Sequence, residues 1–250
     1  ELDAFFHEVR TVASLSHPGI VQILDYGQAH FEPLDADVPY LVTELGLGGT
    51  LGTGWRAGTF GDVRRALLAI LDALAHAHAR GVIHRDFKPE NIWVGNFGEV
   101  ILLDWGVAKV WGHTDDNAAI RQSVLRTDEG KQAQQLQTLT GGGQRPGTPL
   151  YMSPEQVSGN RSIDERSDVF SAGVCMYEVL AIREPFRGRT IDETFDNIKN
   201  KQIDPPSVRS PDRGIPKAAD EVVQRAIAKR PGERYQFMRD MIAAIRSIDC

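Results

Sequence analysis

Cysteine is scarce in this sequence, with two among 250 residues: Cys175, inside an apolar run, and Cys250, at the last position. A fold stapled by disulfides is therefore excluded, and a reducing compartment is the natural setting. Long apolar runs are lacking too. None reaches the roughly 18 residues that span a bilayer, and no signal peptide opens the chain, so no membrane contact is expected from this segment and a cytoplasmic location is. Positive charge is not in excess: 28 Lys and Arg face 34 Asp and Glu, for a net charge of -6. Without a basic field, nucleic acid is not an expected partner. Internal repeats are absent as well. What is present, 41% hydrophobic and 25% charged residues, is enough for one globular domain of two lobes with a real core. The opening Glu1-Leu2-Asp3 sits in mid-pattern, and the chain reads as a piece of a longer one, whose anchor could lie elsewhere.

Chemistry concentrates in Val82 to Asn91, Val-Ile-His-Arg-Asp-Phe-Lys-Pro-Glu-Asn. Asp86 can accept a proton from an attacking hydroxyl, Lys88 can neutralise charge on a phosphoryl group, and Asn91 can offer an amide oxygen to a metal ion. A wet turn between helix and strand also collects charges, and one such loop would not decide the matter. Two more runs do. Ile101-Leu102-Leu103-Asp104-Trp105-Gly106 and Gly147-Thr148-Pro149-Leu150-Tyr151-Met152-Ser153-Pro154-Glu155 follow downstream, in an order that resembles the catalytic loop, metal-binding segment and activation-loop end of protein kinases. Trp105 stands where that family usually has Phe. Lys88, two residues after Asp86, is the serine/threonine choice, so the chain resembles a bacterial, eukaryotic-like serine/threonine protein kinase. An α+β, bilobal fold is implied, with residues 1–45 a partial small lobe and 46–250 the hinge and a mainly helical large lobe, including a long activation segment over 104–155.

The elements are legible from periodicity. Leu2, Phe5, Phe6, Val9, Val12 and Leu15 predict a helix that stops at His17-Pro18-Gly19. Ile20 to Gly27 and Pro39 to Glu44 read as strands, joined by a polar, acidic loop over Gln28 to Val38. Asp62 to Arg80 is an amphipathic helix that delivers the catalytic loop. His76 and His78 lie on it two apart, on different faces, which suits packed or solvated rings rather than a metal pair. Ile92 to Val94 and Glu99 to Leu103 form a hairpin turning at Gly95-Asn96-Phe97-Gly98. Val107 to Pro146 is polar and Gln-rich, too poor in apolar area to offset its ordering entropy. Val169 to Ile182 is apolar all round and predicts a central buried helix. Helices at Ile191 to Lys199, Ala218 to Ala228 and Tyr235 to Ile248 complete the chain.

The resemblance implies ATP and Mg2+ as cofactors, and proteins bearing Ser or Thr as substrates. Asp86, Lys88 and Asn91 are the implied catalytic residues, and Asn91 and Asp104 the implied magnesium ligands. The nucleotide would meet Glu8, pairing with a strand lysine; Thr43, as gatekeeper; the carbonyl of Glu44 and amide of Gly46, at the hinge; Trp93, under the adenine; and Asp104. Trp93 replaces the usual Leu or Met, and its larger indole is expected to narrow that pocket. Thr138 and Thr140 would be autophosphorylation sites docking on Arg85, with a homodimer allowed for transfer in trans, and Thr148 would lie near Asp86 and Lys88. Asp168 would anchor the catalytic-loop backbone, and Arg234 would pair with Glu155. No Gly-x-Gly-x-x-Gly loop or Val-Ala-Ile-Lys strand precedes Glu8, so these 250 residues by themselves are expected to transfer little phosphate. A partner-binding scaffold without transfer is the alternative. A small-molecule phosphotransferase would not need the Gly-Thr-Pro to Ser-Pro-Glu segment.

Overall fold

Apolar residues at helical spacing place Val9 and Val12 on the buried side of α1 (Leu2–Ala13). The chain then turns sharply, with the Gly19 amide donating to His17 Nδ1 at 2.9 Å. The next residues dock on a distant strand: Ile20 bridges Leu102 in parallel, and the Val21 amide donates to the Leu102 carbonyl at 3.1 Å. Residues 2–46, 48–51, 60–105, 109–110, 149–160 and 163–249 are described in this computed structural model.

Strands β1 (Ile23–Phe31) and β2 (Ala36–Thr43) form an antiparallel ribbon in which Gln28 faces Pro39. The sequence predicts a loop over Gln28 to Val38, and most of it is strand instead, turned by a single 3-10 turn at Glu32–Leu34. The polar composition reflects exposure of both faces of the ribbon rather than irregular backbone. Pro39 is tolerated because a strand in a two-stranded ribbon has one unpaired edge. Leu24, Leu41 and Val42 are exposed along it.

A second antiparallel sheet has the order β3 (Gly48–Thr50), β5 (Ile92–Gly95), β6 (Val100–Leu102). Between β3 and β5 runs α2 (Phe60–His78), whose Val63, Leu67, Ile70, Leu71, Leu74 and Ala77 are buried as the 3-4 spacing requires. It leads into β4 (Val82–Ile83), which pairs antiparallel with β7 (Lys109–Val110).

The remaining described residues are mainly helical. A one-turn α3 (Pro154–Val157) precedes α4 (Glu165–Ala181), capped by Asp164, which accepts from the Arg166 amide. Helix α4 is buried on every side, as its apolar run predicts, and packs against α2 and α7 (Lys217–Ala226). Gly173 lets α4 and α7 approach closely, because a Cβ there would lie 2.7 Å from Ala226 Cβ. The helices α6 (Pro206–Arg209) and α8 (Met238–Arg246) also pack on α4, with α8 running along α2, while α5 (Ile191–Asn200) packs against α3. The outcome is α+β, strand-rich towards the N-terminus and helical beyond it. No helix among the described residues is long and apolar enough to cross a membrane.

Candidate active site

The loop between β4 and β5 brings three predicted residues into direct contact. Lys88 Nζ donates to Asp86 Oδ2 in a short ion pair. Asn91 Nδ2 donates to the Asp86 backbone carbonyl at 2.9 Å and to Oδ2 at 3.2 Å. Both neighbours of that nitrogen are acceptors, which fixes the amide orientation and turns Asn91 Oδ1 away from the acid. A 3-10 turn over Pro89–Asn91 carries Lys88 and Asn91 to the same carboxylate.

Asp104 arrives on the chain leaving β6 and is exposed, and the residue before it, Leu103, is bonded to the loop. The Leu103 amide donates to the Asn91 carbonyl at 2.7 Å, and the Leu103 carbonyl accepts from His84 Nε2 at 3.2 Å. Asp104 itself has φ 52, in the left-handed region that Asp tolerates better than most residues. Next to it, the Trp105 indole is buried, donates to the Leu102 carbonyl at 3.3 Å and lies 4.6 Å from the His84 ring. Replacing Phe by Trp here thus adds a donor that finds an acceptor.

His84, absent from the predicted site, is its internal strut. It is fully buried, and its Nδ1 accepts from the Asp86 amide at 3.3 Å while Nε2 faces the Leu103 carbonyl. Only the neutral ring protonated at Nε2 satisfies both partners. Burial lowers its basicity further, against the raising influence of Asp168 and the Leu103 carbonyl.

Asp168 anchors the loop, as expected. It is fully buried on α4 and accepts from the His84 and Arg85 amides, each at 2.8 Å, and from His78 Nε2 at 2.7 Å. Burial by itself would raise this carboxyl. The hydrogen bond and charge of His78, with the His84 amide, outweigh it and hold Asp168 below the ordinary carboxylate range. His78 is therefore a packed histidine with a carboxylate partner. His76 packs against His17 instead, with ring centroids 5.0 Å apart. No group of three His, Cys, Asp or Glu residues suited to a metal occurs among the described residues.

Arg234 is buried and meets Glu155 in parallel, Nη1 to Oε1 at 2.7 Å and Nη2 to Oε2 at 2.8 Å. Here too burial would raise the carboxyl. The Arg234 guanidinium, helped by the Ser167 hydroxyl, holds it below its ordinary range.

At the predicted hinge, Glu44 is tied to the segment before β1: its amide donates to the Gln22 carbonyl at 3.1 Å, and its Oε1 accepts from the Gln22 amide at 2.7 Å. Thr43 ends β2 and is exposed. The glycines there have a second reason for being small. A Cβ on Gly46 would sit 2.5 Å from Trp93 Cε2, and one on Gly48 would sit 2.4 Å from the Val94 carbonyl oxygen and 3.1 Å from Trp93 Cζ2. The Trp93 indole thus lies against bare backbone, and its extra bulk is met by missing side chains. Glu8 belongs to α1, but its side chain lies outside the described residues, as do Thr138, Thr140 and Thr148 and most of 104–155.

Magnesium fits this donor set. The ion is commonly held by one or two protein oxygens completed by phosphates and water, and the Asn91 oxygen turned from Asp86 and the exposed Asp104 carboxylate are of that kind.

A family model described as protein kinase domain matches residues 1–243. The serine/threonine-protein kinase PknB of Mycobacterium tuberculosis is 34% identical over 96% of the chain and 34% of its own length. The kinase pkn3 of Myxococcus xanthus is 32% identical over 98% of the chain and 42% of its own length. PknD of Protochlamydia amoebophila is 28% identical over 97% and 25% respectively. The chain thus spans less than half the length of these bacterial relatives. With a match reaching across nearly all its residues, the chain belongs to the protein kinase domain family.

Proposed function

We propose that the chain is part of the catalytic domain of a serine/threonine protein kinase that moves the γ-phosphoryl group of ATP to a Ser or Thr hydroxyl of a protein, and that these 250 residues by themselves transfer little of it. The observation that carries this reading is the Asp86 carboxylate held between Lys88 Nζ and Asn91 Nδ2. An acid beside a fixed cation and amide suits a hydroxyl nucleophile: Asp86 orients it and accepts its proton, and Lys88 stands ready to neutralise charge on the transferred group. Asn91 and Asp104 would hold magnesium, which when bound offsets the negative charge of the phosphates. Glu8, Thr43, Glu44, Gly46 and Trp93 would border the nucleotide, and the lobes would divide near residue 45. The segment 104–155 would admit the protein substrate, with Thr138 and Thr140 as self-modified positions.

The test is autophosphorylation with Mg-ATP by the full-length protein beside its Asp86→Asn variant. Phosphate incorporation is expected in the former, with a loss of about 10² to 10⁴ in rate in the latter. No incorporation, together with no nucleotide-dependent rise in melting temperature, refutes the proposal in favour of a scaffold that binds partners.

A further inference from the structure

The loop that carries Asp86 is held in a conformation its sequence does not favour. Arg85 has φ 67, in the left-handed region that a side chain with a Cβ disfavours, so neighbouring groups must hold it there. Asp168 holds the amide side, through the His84 and Arg85 N–H groups. The carbonyl side is held by Gln156, whose Nε2 donates to the Arg85 carbonyl at 2.8 Å. That carbonyl belongs to the peptide unit joining Arg85 to Asp86, whose N–H faces His84 Nδ1 at 3.3 Å. Both polar ends of one peptide plane are therefore fixed, and this plane sets the direction in which the Asp86 side chain leaves the backbone.

Gln156 is itself fixed. Its Oε1 accepts from the Ser153 amide at 2.9 Å, and Ser153 Oγ accepts from the Gln156 amide at 3.4 Å, the reciprocal pair of a capping box at the start of α3. With Oε1 committed to a donor, Nε2 can only face the other way, towards Arg85. Its neighbour Glu155 is clamped by Arg234, so the segment has little freedom. We infer that Gln156 is a positioning residue for phosphoryl transfer, clamping the Arg85–Asp86 peptide so that Asp86 is aimed before substrate arrives. This inference rests on the catalytic role proposed for Asp86.

Gln156→Glu separates the two tasks of the side chain. A carboxylate at that place keeps accepting from the Ser153 amide, as in the Ser-x-x-Glu form of the box, but it cannot donate to the Arg85 carbonyl. Ser153→Ala is the complementary control, since it removes the Oγ acceptor and leaves the Gln156 bond to Arg85 intact. The full-length protein and both variants are compared in kcat, KM for ATP, melting temperature and hydrogen exchange of residues 84–88. For Gln156→Glu at pH 7.5, kcat is expected to fall roughly ten- to a hundredfold, the scale of a misplaced reacting group. KM for ATP should stay within about twofold and exchange at 84–88 should quicken, while Ser153→Ala keeps its kcat. Lowering the pH protonates the introduced carboxyl, restores a donor, and should bring the variant's kcat back towards that of the unsubstituted protein at the same pH.

A Gln156→Glu protein with unchanged kcat, or two variants whose kcat falls together in step with melting temperature, overturns the inference. If the unsubstituted protein transfers no phosphate, the proposed function fails, and exchange at 84–88 judges the clamp by itself: unchanged rates overturn it and faster rates uphold it. Should Gln156→Glu not fold, Gln156→Met, which keeps the length and loses both polar contacts, is read by the same exchange and kinetic criteria.

Discussion

Replacing Arg234 by lysine keeps the positive charge and removes the planar fork, so it asks whether geometry or charge holds α3 onto the helical lobe. The guanidinium has five N–H donors, and the structure gives five contacts: Nε to the Ala228 carbonyl, Nη1 to Glu155 Oε1 and the Arg166 carbonyl, and Nη2 to Glu155 Oε2 and the Lys229 carbonyl, all between 2.7 and 3.1 Å. An ammonium has three donors and no fixed plane, so it leaves at least two of those acceptors bare in a site where Arg234 is 1% exposed. Breaking a buried, hydrogen-bonded pair costs about 3–5 kcal/mol, and the retained charge puts lysine near the lower end, about 3 kcal/mol. At about 2–4 °C per kcal/mol for a chain of this size, the melting temperature should fall by about 6–12 °C. Arg234→Met, which leaves Glu155 unpaired, should fall further. Joining it to Glu155→Met should cost about 2 kcal/mol less than the sum of the single changes, because no buried charge then lacks a partner. Urea unfolding of the four variants measures all of this. A lysine variant within about 1 kcal/mol of the parent would mean that charge alone suffices, and the argument from the five donors would be wrong.

Gly46→Ala should destabilise by about 1–3 kcal/mol through overpacking, since the new Cβ would meet the Trp93 indole at 2.5 Å. Trp93→Leu should relieve most of that loss, and an equal loss in both backgrounds would show that the indole is not the obstacle. Acid should weaken the fold in two steps. His84 is held neutral by burial, so below its ordinary value of about 6.5 the unfolded chain takes up a proton that the fold refuses, and stability declines from there. Asp168 and Glu155 are held below the ordinary range, so their contribution is complete above about pH 4 and is lost as pH falls through their lowered values. Unfolding free energies measured from pH 8 to pH 3 check both steps, and Asp168→Asn should flatten the second. A stability that rises on acidification between pH 6.5 and 4 would contradict the neutral His84.

The sequence by itself determined most of the local order. The 3-4 repeat of Val63, Leu67, Ile70, Leu71 and Leu74 fixes α2, and the apolar run after Asp168 fixes a helix with no wet face, because burial of a periodic stripe needs no knowledge of the partner. The spacing of Asp86, Lys88 and Asn91 also carried through to contact, since a loop of six residues with a 3-10 turn cannot separate them far. Over Gln28 to Phe31 and Ala36 to Val38 composition misled, because strands exposed on both faces look like loop. The Ser-x-x-Gln spacing at Ser153 to Gln156 was a readable capping signal. Its outcome was not, since the free half of the amide takes its meaning from Arg85, 71 residues earlier. The same holds for His84 between Asp86 and Leu103, for His78 on Asp168, and for glycines whose smallness answers the indole of Trp93. These pairings are set by which elements pack together, and hydrogen bonds between groups as far as 90 residues apart are decided only when tertiary packing has brought them within 3 Å or so of one another.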